Sequence, residues 1–375
     1  MTDFAPPPAP AVEEHRFPCT ACGADLRFAP GADQMVCDHC GNTQKLGVFG
    51  PWAASSALRE IDYLETLRSG AADAADEEVT RVLSCTNCGA QVEFQPEVHA
   101  AECPFCATPV VTDTGTHRHI KPAAVIPFEM SEDAAKQAMT DWLGRLWFAP
   151  NGLQEYARKG RKMSGIYVPY WTYDARTDSR YRGQRGTVYY VQATRVVNGK
   201  RVATREARVR WRAASGHVAR AFDDVLVLAA RSLPKRFTDA LAPWDLSALI
   251  PYTPEPLAGF RAEGYTVPLE EGMAEARAYM DRVIARDVRM DIGGDRQRID
   301  AIDTRVSDVT FKHILLPVWV AAYRYGGKSY RFVVNGQDGK VSGERPYSAV
   351  KIALAVIALV ILGAALAYGS AVQQG

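Results

Sequence analysis

The sequence predicts an α+β protein, and three patterns support this prediction. A set of paired cysteines occurs twice near the N-terminus, β-rich runs alternate with two helical stretches in the middle, and a long apolar run ends the chain. The composition is that of a folded protein of one to three domains, because 47% of the 375 residues are hydrophobic and 23% are charged.

The cysteines form two modules, each made of two C-x2-C pairs with the same spacing between the pairs. The match between the modules extends to other positions, such as Gly23 with Gly89 and Phe28 with Phe94. Duplication of one module explains this better than metal geometry alone. The cysteines are Cys19, Cys22, Cys37 and Cys40 in the first module, and Cys85, Cys88, Cys103 and Cys106 in the second.

Four thiolates in two such pairs suit tetrahedral zinc and leave no open coordination position for water or substrate. We therefore expect two structural Zn²⁺ ions and two zinc ribbons. Disulfides are disfavoured in a cytoplasmic chain, whereas an iron–sulfur cluster is compatible with the spacing. His39, His117 and His119 are alternative ligands, although each four-thiolate set is complete without them.

The middle of the chain repeats the order of a short strand, a helical stretch and a strand with a Pro-x-Trp motif. Val125 to Phe128 precedes the first helical stretch, Ser131 to Trp147, and Thr266 to Leu269 precedes the second, Glu270 to Arg286. The two Pro-x-Trp strands are Ile166 to Trp171 and Ile314 to Trp319. These patterns predict a duplicated domain of antiparallel sheets with a few helices.

Leucine and isoleucine recur at helical spacing between the two ribbons, at Leu58, Ile61, Leu64 and Leu67. This stripe predicts a short amphipathic helix.

No charged residue follows Lys351, and Ile352 to Tyr368 is apolar apart from Gly363. A helix from Ile352 to Val372 is roughly 30 Å long, which matches the hydrocarbon core of a bilayer. The sequence therefore predicts one C-terminal transmembrane helix. Basic residues precede this run and no signal peptide begins the chain, so we expect a tail-anchored, single-pass protein of the inner (cytoplasmic) membrane with its bulk in the cytoplasm.

The expected fold class is thus α+β, with two N-terminal zinc ribbons, a duplicated antiparallel α+β domain and one C-terminal transmembrane helix. The predicted segments are a disordered Pro-rich tail (1–14), zinc ribbon 1 (15–46), a helix and acidic linker (47–80), zinc ribbon 2 (81–116), the duplicated α+β domain (117–349) and the transmembrane helix (350–372).

Basic residues are concentrated between Tyr156 and Arg220, where 16 Lys and Arg stand against three acidic residues. This excess indicates a surface for an anionic partner, either anionic lipid or nucleic acid, although a solvated sheet face explains part of it. The candidate residues are Arg158, Lys159, Arg161, Lys162, Arg180, Arg182, Arg185, Arg208, Arg210 and Arg212.

No catalytic motif is present in the sequence. The segment from Ala322 to Ser329 ends in Gly-Lys-Ser, but it lacks the first glycine of a phosphate-binding loop and lies between two β-rich runs. Asp223 and Asp224 form a carboxylate pair that is typical of a surface turn. We therefore expect neither an enzyme nor a small-molecule substrate.

The cysteine pairs, the block from Gly165 to Asp174, the segment from Leu315 to Trp319 and the run from Asn335 to Lys340 together resemble a bacterial family. Its members are tail-anchored membrane proteins with tandem TFIIB-type zinc ribbons, often named primosomal protein N' (replication factor Y) or superfamily II helicase. The resemblance covers most of the chain and implies an adaptor at the inner membrane, with membrane-stress or flotillin-like partners. Helicase activity is not implied, because the Walker motif is absent.

Two functions remain open from the sequence. The first is a non-catalytic, membrane-anchored adaptor or scaffold that binds protein partners and anionic lipid. The alternative is a nucleic-acid-binding accessory protein of the replication type, without intrinsic helicase activity.

Overall fold

The computed structural model describes residues 17–32, 34–46, 60–69, 77–85, 90–93, 100–105, 109–111, 115–146, 163–197, 200–325, 328–344 and 347–372. The strands are β1 (Leu26–Ala29), β2 (Gln34–Cys37), β3 (Thr43–Lys45), β4 (Ile61–Asp62), β5 (Glu77–Ser84), β6 (Gln91–Glu93), β7 (Ala100–Glu102), β8 (Pro109–Val111), β9 (Gly115–Ile120), β10 (Ala124–Val125), β11 (Ser164–Val197), β12 (Lys200–Leu228), β13 (Ile250–Pro251), β14 (Arg261–Ala262), β15 (Arg296–Tyr325), β16 (Lys328–Asn335) and β17 (Val341–Gly343). The α-helices are α1 (Tyr63–Ser69), α2 (Glu132–Gly144), α3 (Lys235–Asp239), α4 (Leu269–Ile292) and α5 (Ala349–Val372).

The described residues form a mostly β protein, so the expected α+β balance is wrong. A nine-stranded sheet is built on β11, which pairs with β12 on one side and β15 on the other. These three strands have 34, 29 and 30 residues, far beyond the usual length of about 3 to 10. The expected antiparallel pairing is present between them, but β10 and β14 run parallel to their partners.

The two Pro-x-Trp segments face each other across the centre of this sheet. In the antiparallel register of β11 and β15, Ile166 is opposite Val318, and Val168 is opposite Leu316. All four side chains are fully buried. Such an apolar run is typical of a strand that is covered on both of its faces.

The tryptophans of the two segments make matching hydrogen bonds. The indole Nε1 of Trp171 donates to the carbonyl of Val267, and that of Trp319 donates to the carbonyl of Met130, both at 3.0 Å. Each carbonyl lies directly before the N-cap residue of a helix, Pro268 for α4 and Ser131 for α2. The two segments therefore hold their helices in the same way.

Backbone hydrogen bonds show which residues near β10, before α2, are equivalent to residues near β14, before α4. The N–H of Ile126 donates to Leu315 at 3.0 Å, and the N–H of Glu263 donates to Tyr167 at 2.9 Å. The structure thus matches Ile126 with Glu263, whereas the sequence comparison matched it with Val267. That alignment was wrong by a few residues, because no short motif marks β14. The duplication itself stays a prediction.

Helix α4 lies against one face of the long strands. Ala276, Met280, Ile284 and Val288 are spaced by one helical turn and are buried there. Gly272 allows the close approach, because a Cβ at this position would lie 2.4 Å from the Tyr173 hydroxyl. The side of the sheet that carries α4 is called the helix side below.

The linker between the ribbons is attached to the sheet rather than forming one continuous helix. Ile61 lies in β4, which pairs with β15 opposite Phe311, and helix α1 has only seven residues. The predicted helical stripe is therefore wrong at Ile61, because pairing with the sheet edge replaces the first turn. Leu58 lies outside the described residues.

Helix α5 occupies the C-terminal apolar run, and its side chains are described from Val350 to Ala365. Over the described residues, no helix combines the length and the apolar character needed to cross a membrane. This finding corrects the predicted transmembrane helix over 350–372, and with it the membrane, tail-anchored and inner-membrane predictions.

Replacing Trp171 by Phe removes the bond to Val267 and leaves a small void in a fully buried site. We expect a loss of about 2 kcal/mol in the free energy of unfolding, measured by urea denaturation. Trp319→Phe should behave similarly. The control is Trp211→Phe, at a partly exposed position of β12, where the loss should be smaller. Equal losses in the three variants would contradict the role assigned to the buried indoles.

Candidate functional site

The first cysteine module folds as two tight turns. The N–H of Gly23 donates to the carbonyl of Cys19 at 2.8 Å, and that of Gly41 donates to the carbonyl of Cys37 at 2.9 Å. Both glycines have positive φ angles, 77° and 73°, in the left-handed region that most residues avoid. The glycine after each C-x2-C pair thus lets the backbone turn around the position where sulfur atoms converge.

The four sulfur atoms of this module lie within 4.8 Å of one another. The Sγ atoms of Cys19 and Cys40 are 3.6 Å apart, and those of Cys22 and Cys37 are 3.5 Å apart. Tetrahedral zinc with bonds of about 2.3 Å places its sulfur ligands about 3.8 Å apart. The sulfur positions therefore fit one zinc ion, and a site at these four residues is plausible. No histidine belongs to this group among the described residues, and His39 is exposed.

Hydrogen bonds favour the thiolate form of Cys19. The backbone N–H of Ala21 donates to its sulfur at 3.4 Å, and the side chain of Asn42 does so at 3.5 Å. The first of these bonds is the main reason why the pKa of Cys19 falls to about 6, against the opposing effect of burial. Thiolates are the metal-binding form of cysteine, so these donors prepare the site for a cation.

The first ribbon is packed against the main sheet. Phe28 of β1 is 1% exposed and contacts Phe260, whose ring stacks on Phe128 at 4.2 Å between centroids. Two backbone bonds fix the contact, from Phe28 to Ala258 and from Gly31 to Phe128. The turns that carry Cys22 and Cys40 remain exposed. The ribbon therefore has one face in the core and one face in solvent.

The second module is described only in part. Cys85 and Cys103 are buried, and Cys88 and Cys106 lie outside the described residues. The N–H of Cys85 donates to Ala90 at 2.8 Å, as that of Cys19 donates to Ala24 at 2.7 Å in the first module. Both described cysteines join the apolar core cluster that contains Ile166 and Leu316. Two metal sites are not established by this geometry.

The predicted basic residues are divided between the two sides of the sheet. Arg180 and Arg182 lie on the side opposite α4, as their alternation with the buried Tyr181 requires. Arg185 lies on the helix side near Gly293 and Gly294, which follow α4. Arg212, Arg210 and Arg208 are the β12 partners of residues 185, 187 and 189, so they share the helix side. Arg158, Lys159, Arg161 and Lys162 lie outside the described residues.

A buried ion cluster was missed by the sequence reasoning. Lys312 is 6% exposed, and its Nζ lies 2.9 Å from Asp224, 3.4 Å from Asp174 and 3.4 Å from Glu60. Burial alone lowers the pKa of Lys312, but these carboxylates raise it above its usual value. In the sequence, this cluster is indicated by Lys312, a charged residue that follows Phe311 and precedes an apolar run.

The cluster forms where the ladder is irregular on both sides of β11. Asp223 and Asp224 together oppose Asp174 in a β-bulge, with a φ of 50° at Asp224, and a second bulge contains Asp308 with a φ of 51°. Oxygen atoms of Asp174, Asp223 and Asp224 lie within 4.8 Å of one another. The Lys312 ammonium supplies the positive charge for this group, so the aspartate pair is part of a structural ion cluster and not a simple surface turn.

The Gly-Lys-Ser segment lies in a β-hairpin. Tyr325 of β15 is opposite Lys328 of β16, and β16 continues as a strand to Asn335. A phosphate-binding loop leads into a helix instead. The segment therefore has the hairpin context that the sequence indicated.

One curated protein is similar to the chain over most of its length. It is an uncharacterized protein of Bacillus subtilis (strain 168), YdjG, with 26% identity over 341 residues that cover 90% of this chain and 92% of that protein. No protein-family profile matches the chain. No solved structure matches it either.

Cys19→Ser removes one of the four ligands of the first module. We expect the zinc content of the purified full-length protein, measured by elemental analysis, to fall by one ion per chain. His39→Ala changes an exposed side chain of the same module and should leave the zinc content unchanged. A Cys19→Ser protein with its full metal content, or wild-type protein that contains iron with visible absorbance, would contradict a zinc site here.

Lys312→Met leaves the Asp174 and Asp224 carboxylates without their buried cation. We expect a loss of about 3 kcal/mol in the free energy of unfolding at pH 8. Lys136→Met removes a partly exposed pair with Glu132 and should cost less than about 1 kcal/mol.

The Lys312→Met defect should also depend on pH. Burial raises the pKa of Asp174 above its unfolded value, so its contribution to stability is present at low pH and is lost as pH rises. Loss of the lysine charge raises that pKa further. The deficit in urea midpoint relative to wild type should therefore be smaller at pH 5 than at pH 8. A deficit that is the same at both values would contradict this assignment.

Proposed function

We propose that the chain is a non-catalytic zinc-ribbon adaptor that binds protein partners. The observation that carries this proposal is the convergence of Cys19, Cys22, Cys37 and Cys40 on one position in an exposed ribbon that is fixed to a large sheet. A four-thiolate site is closed to substrate, so its role is to shape the surface around it.

The exposed turns of the first ribbon are the proposed contact surface. Thr20 and Ala21 in one turn, and Asp38 and His39 in the other, are exposed while Cys19 and Cys37 are buried. Metal binding holds such turns in one conformation, and the sheet holds the ribbon in one orientation. A partner then meets a rigid surface and pays little ordering entropy on binding.

The second module extends this proposal to two zinc ions. Its cysteine spacing equals that of the first module, and the bond from Cys85 to Ala90 repeats the bond from Cys19 to Ala24. We propose that Cys85, Cys88, Cys103 and Cys106 hold a second structural zinc. Because Cys85 and Cys103 lie in the apolar core, this ion would stabilise the fold more than it shapes the exterior.

The ion cluster also supports a non-catalytic role. Lys312 pairs with Glu60, Asp174 and Asp224, and its raised pKa makes it a poor nucleophile or base at neutral pH. The relation to a family with tandem TFIIB-type zinc ribbons remains part of the proposal.

The proposal is tested by affinity capture of partners with the full-length chain, followed by mass spectrometry. We expect Cys19→Ser to lose partners that wild type retains, because the exposed turns lose their shape. Asp38→Lys, which reverses an exposed charge but keeps all four thiolates, should lose the same partners with its zinc content intact. Cys103→Ser should lower the zinc content from two ions to one. Capture that is unaffected by Cys19→Ser and by Asp38→Lys would contradict the adaptor role of this ribbon.

A further inference from the structure

The ends of β11 and β12 form a projecting two-stranded hairpin, residues 185–212, which we call the arm. The pairing of β15 with β11 ends where Arg296 is opposite Gly186. Beyond that point β11 and β12 pair with each other, from Thr187 with Arg210 to Val197 with Lys200. At about 3.4 Å per residue, these eleven pairs extend the arm roughly 37 Å past the three-stranded region.

The arm is strongly basic. It contains eight basic residues and one acidic residue, Glu206. Four arginines, at 185, 208, 210 and 212, lie on the helix side, past the end of α4 at Ile292. The three on β12 are two residues apart and therefore about 7 Å apart along one face.

Three of the four arginines on this side have no ion pair within the described part of the protein. Arg208 has a solvent-exposed pair with Glu206 at 3.3 Å, and the described residues provide no ion pair for Arg185, Arg210 or Arg212. On the opposite side the charges alternate instead. Asp303 is directly opposite Arg180 in the strand register, and Arg176 pairs with Asp308 at 3.6 Å.

The clustering of like charges on the arm destabilises the folded protein. Arg185 is directly opposite Arg212, and like charges at such positions destabilise a sheet. Tyr189 is 37% exposed beside these residues, with the Arg210 guanidinium 5.3 Å from its ring centroid. A row of guanidinium groups around an exposed aromatic ring, with one exposed ion pair among the four, suits an extended polyanion rather than the solvent alone.

We propose that the arm binds double-stranded DNA by lying in the major groove, with Arg185, Arg208, Arg210 and Arg212 contacting phosphates. The major groove of B-DNA is about 12 Å wide and admits a two-stranded β-ribbon, whereas the deep, narrow major groove of A-form RNA does not. This activity goes beyond the adaptor role of the ribbons and uses a separate part of the molecule.

The test measures binding of the full-length protein to a fluorescent 20-base-pair DNA duplex by anisotropy, over a series of salt concentrations. The triple variant Arg208→Gln, Arg210→Gln and Arg212→Gln removes three phosphate contacts at about 0.9 units of salt slope each. We expect its slope to fall by about 2.7 units and its affinity to fall at least tenfold at 100 mM salt. The matched control is Arg176→Gln, Arg180→Gln and Arg182→Gln on the opposite side, which should bind within about twofold of wild type.

Several results would overturn the proposal. These are equal binding to an RNA duplex of the same length, tighter binding to poly-glutamate than to DNA, equal losses in the two triple variants, or no DNA binding at low salt. Circular dichroism and zinc content should be unchanged in both variants. Partner capture through the ribbons should also survive the arm variant, so failure of the DNA proposal is distinguishable from failure of the adaptor proposal.

Discussion

The antiparallel pairing of β11 with β15 positions every other described part of the main body. Its apolar centre is the fully buried pair of Val168 and Leu316. The bulges and the ion cluster lie further along the same ladder, and the arm extends past its end. The indoles of Trp171 and Trp319 lie a short distance from this centre and fix the start of one helix each. A one-residue slip of β15 against β11 would turn Trp319 and the other buried side chains of β15 to the wrong face, so this register is strongly specified by burial.

The two cysteine modules depend on this body for their packing. A module of about 25 residues cannot bury enough apolar surface to fold alone. The first ribbon inserts Phe28 beside Phe260, and the second contributes Phe105 and two cysteines to the central core. Docking on the sheet fixes the orientation of the first ribbon, and an ion held by its four sulfur atoms would fix its local shape. The turns at Cys22 and Cys40 are the exposed part of this ribbon.

Local features were predictable from the sequence, and those that join distant segments were not. The cysteine spacing predicted the turns at Gly23 and Gly41, and Ser131 marked the start of α2, because these signals lie within a few residues of one another. The partners of Lys312 lie just before β4, in β11 and in β12, so no spacing along the chain predicts them. The arginine stretch predicted a basic surface. It did not predict that the basic residues lie on two sides of the sheet, because that depends on how side chains alternate along the strands.

The attachment of β4 to β15 has a consequence for the durability of the ribbons. Glu60 bonds to Thr310, and Ile61 is opposite Phe311, so the chain between the two cysteine modules is pinned near its middle. Each module is therefore joined through the chain to an attachment point on the sheet. A module that detaches from the sheet stays at a high effective concentration beside its docking place, so its redocking is an intramolecular event. Local unfolding of one module is then reversible without unfolding of the rest of the molecule.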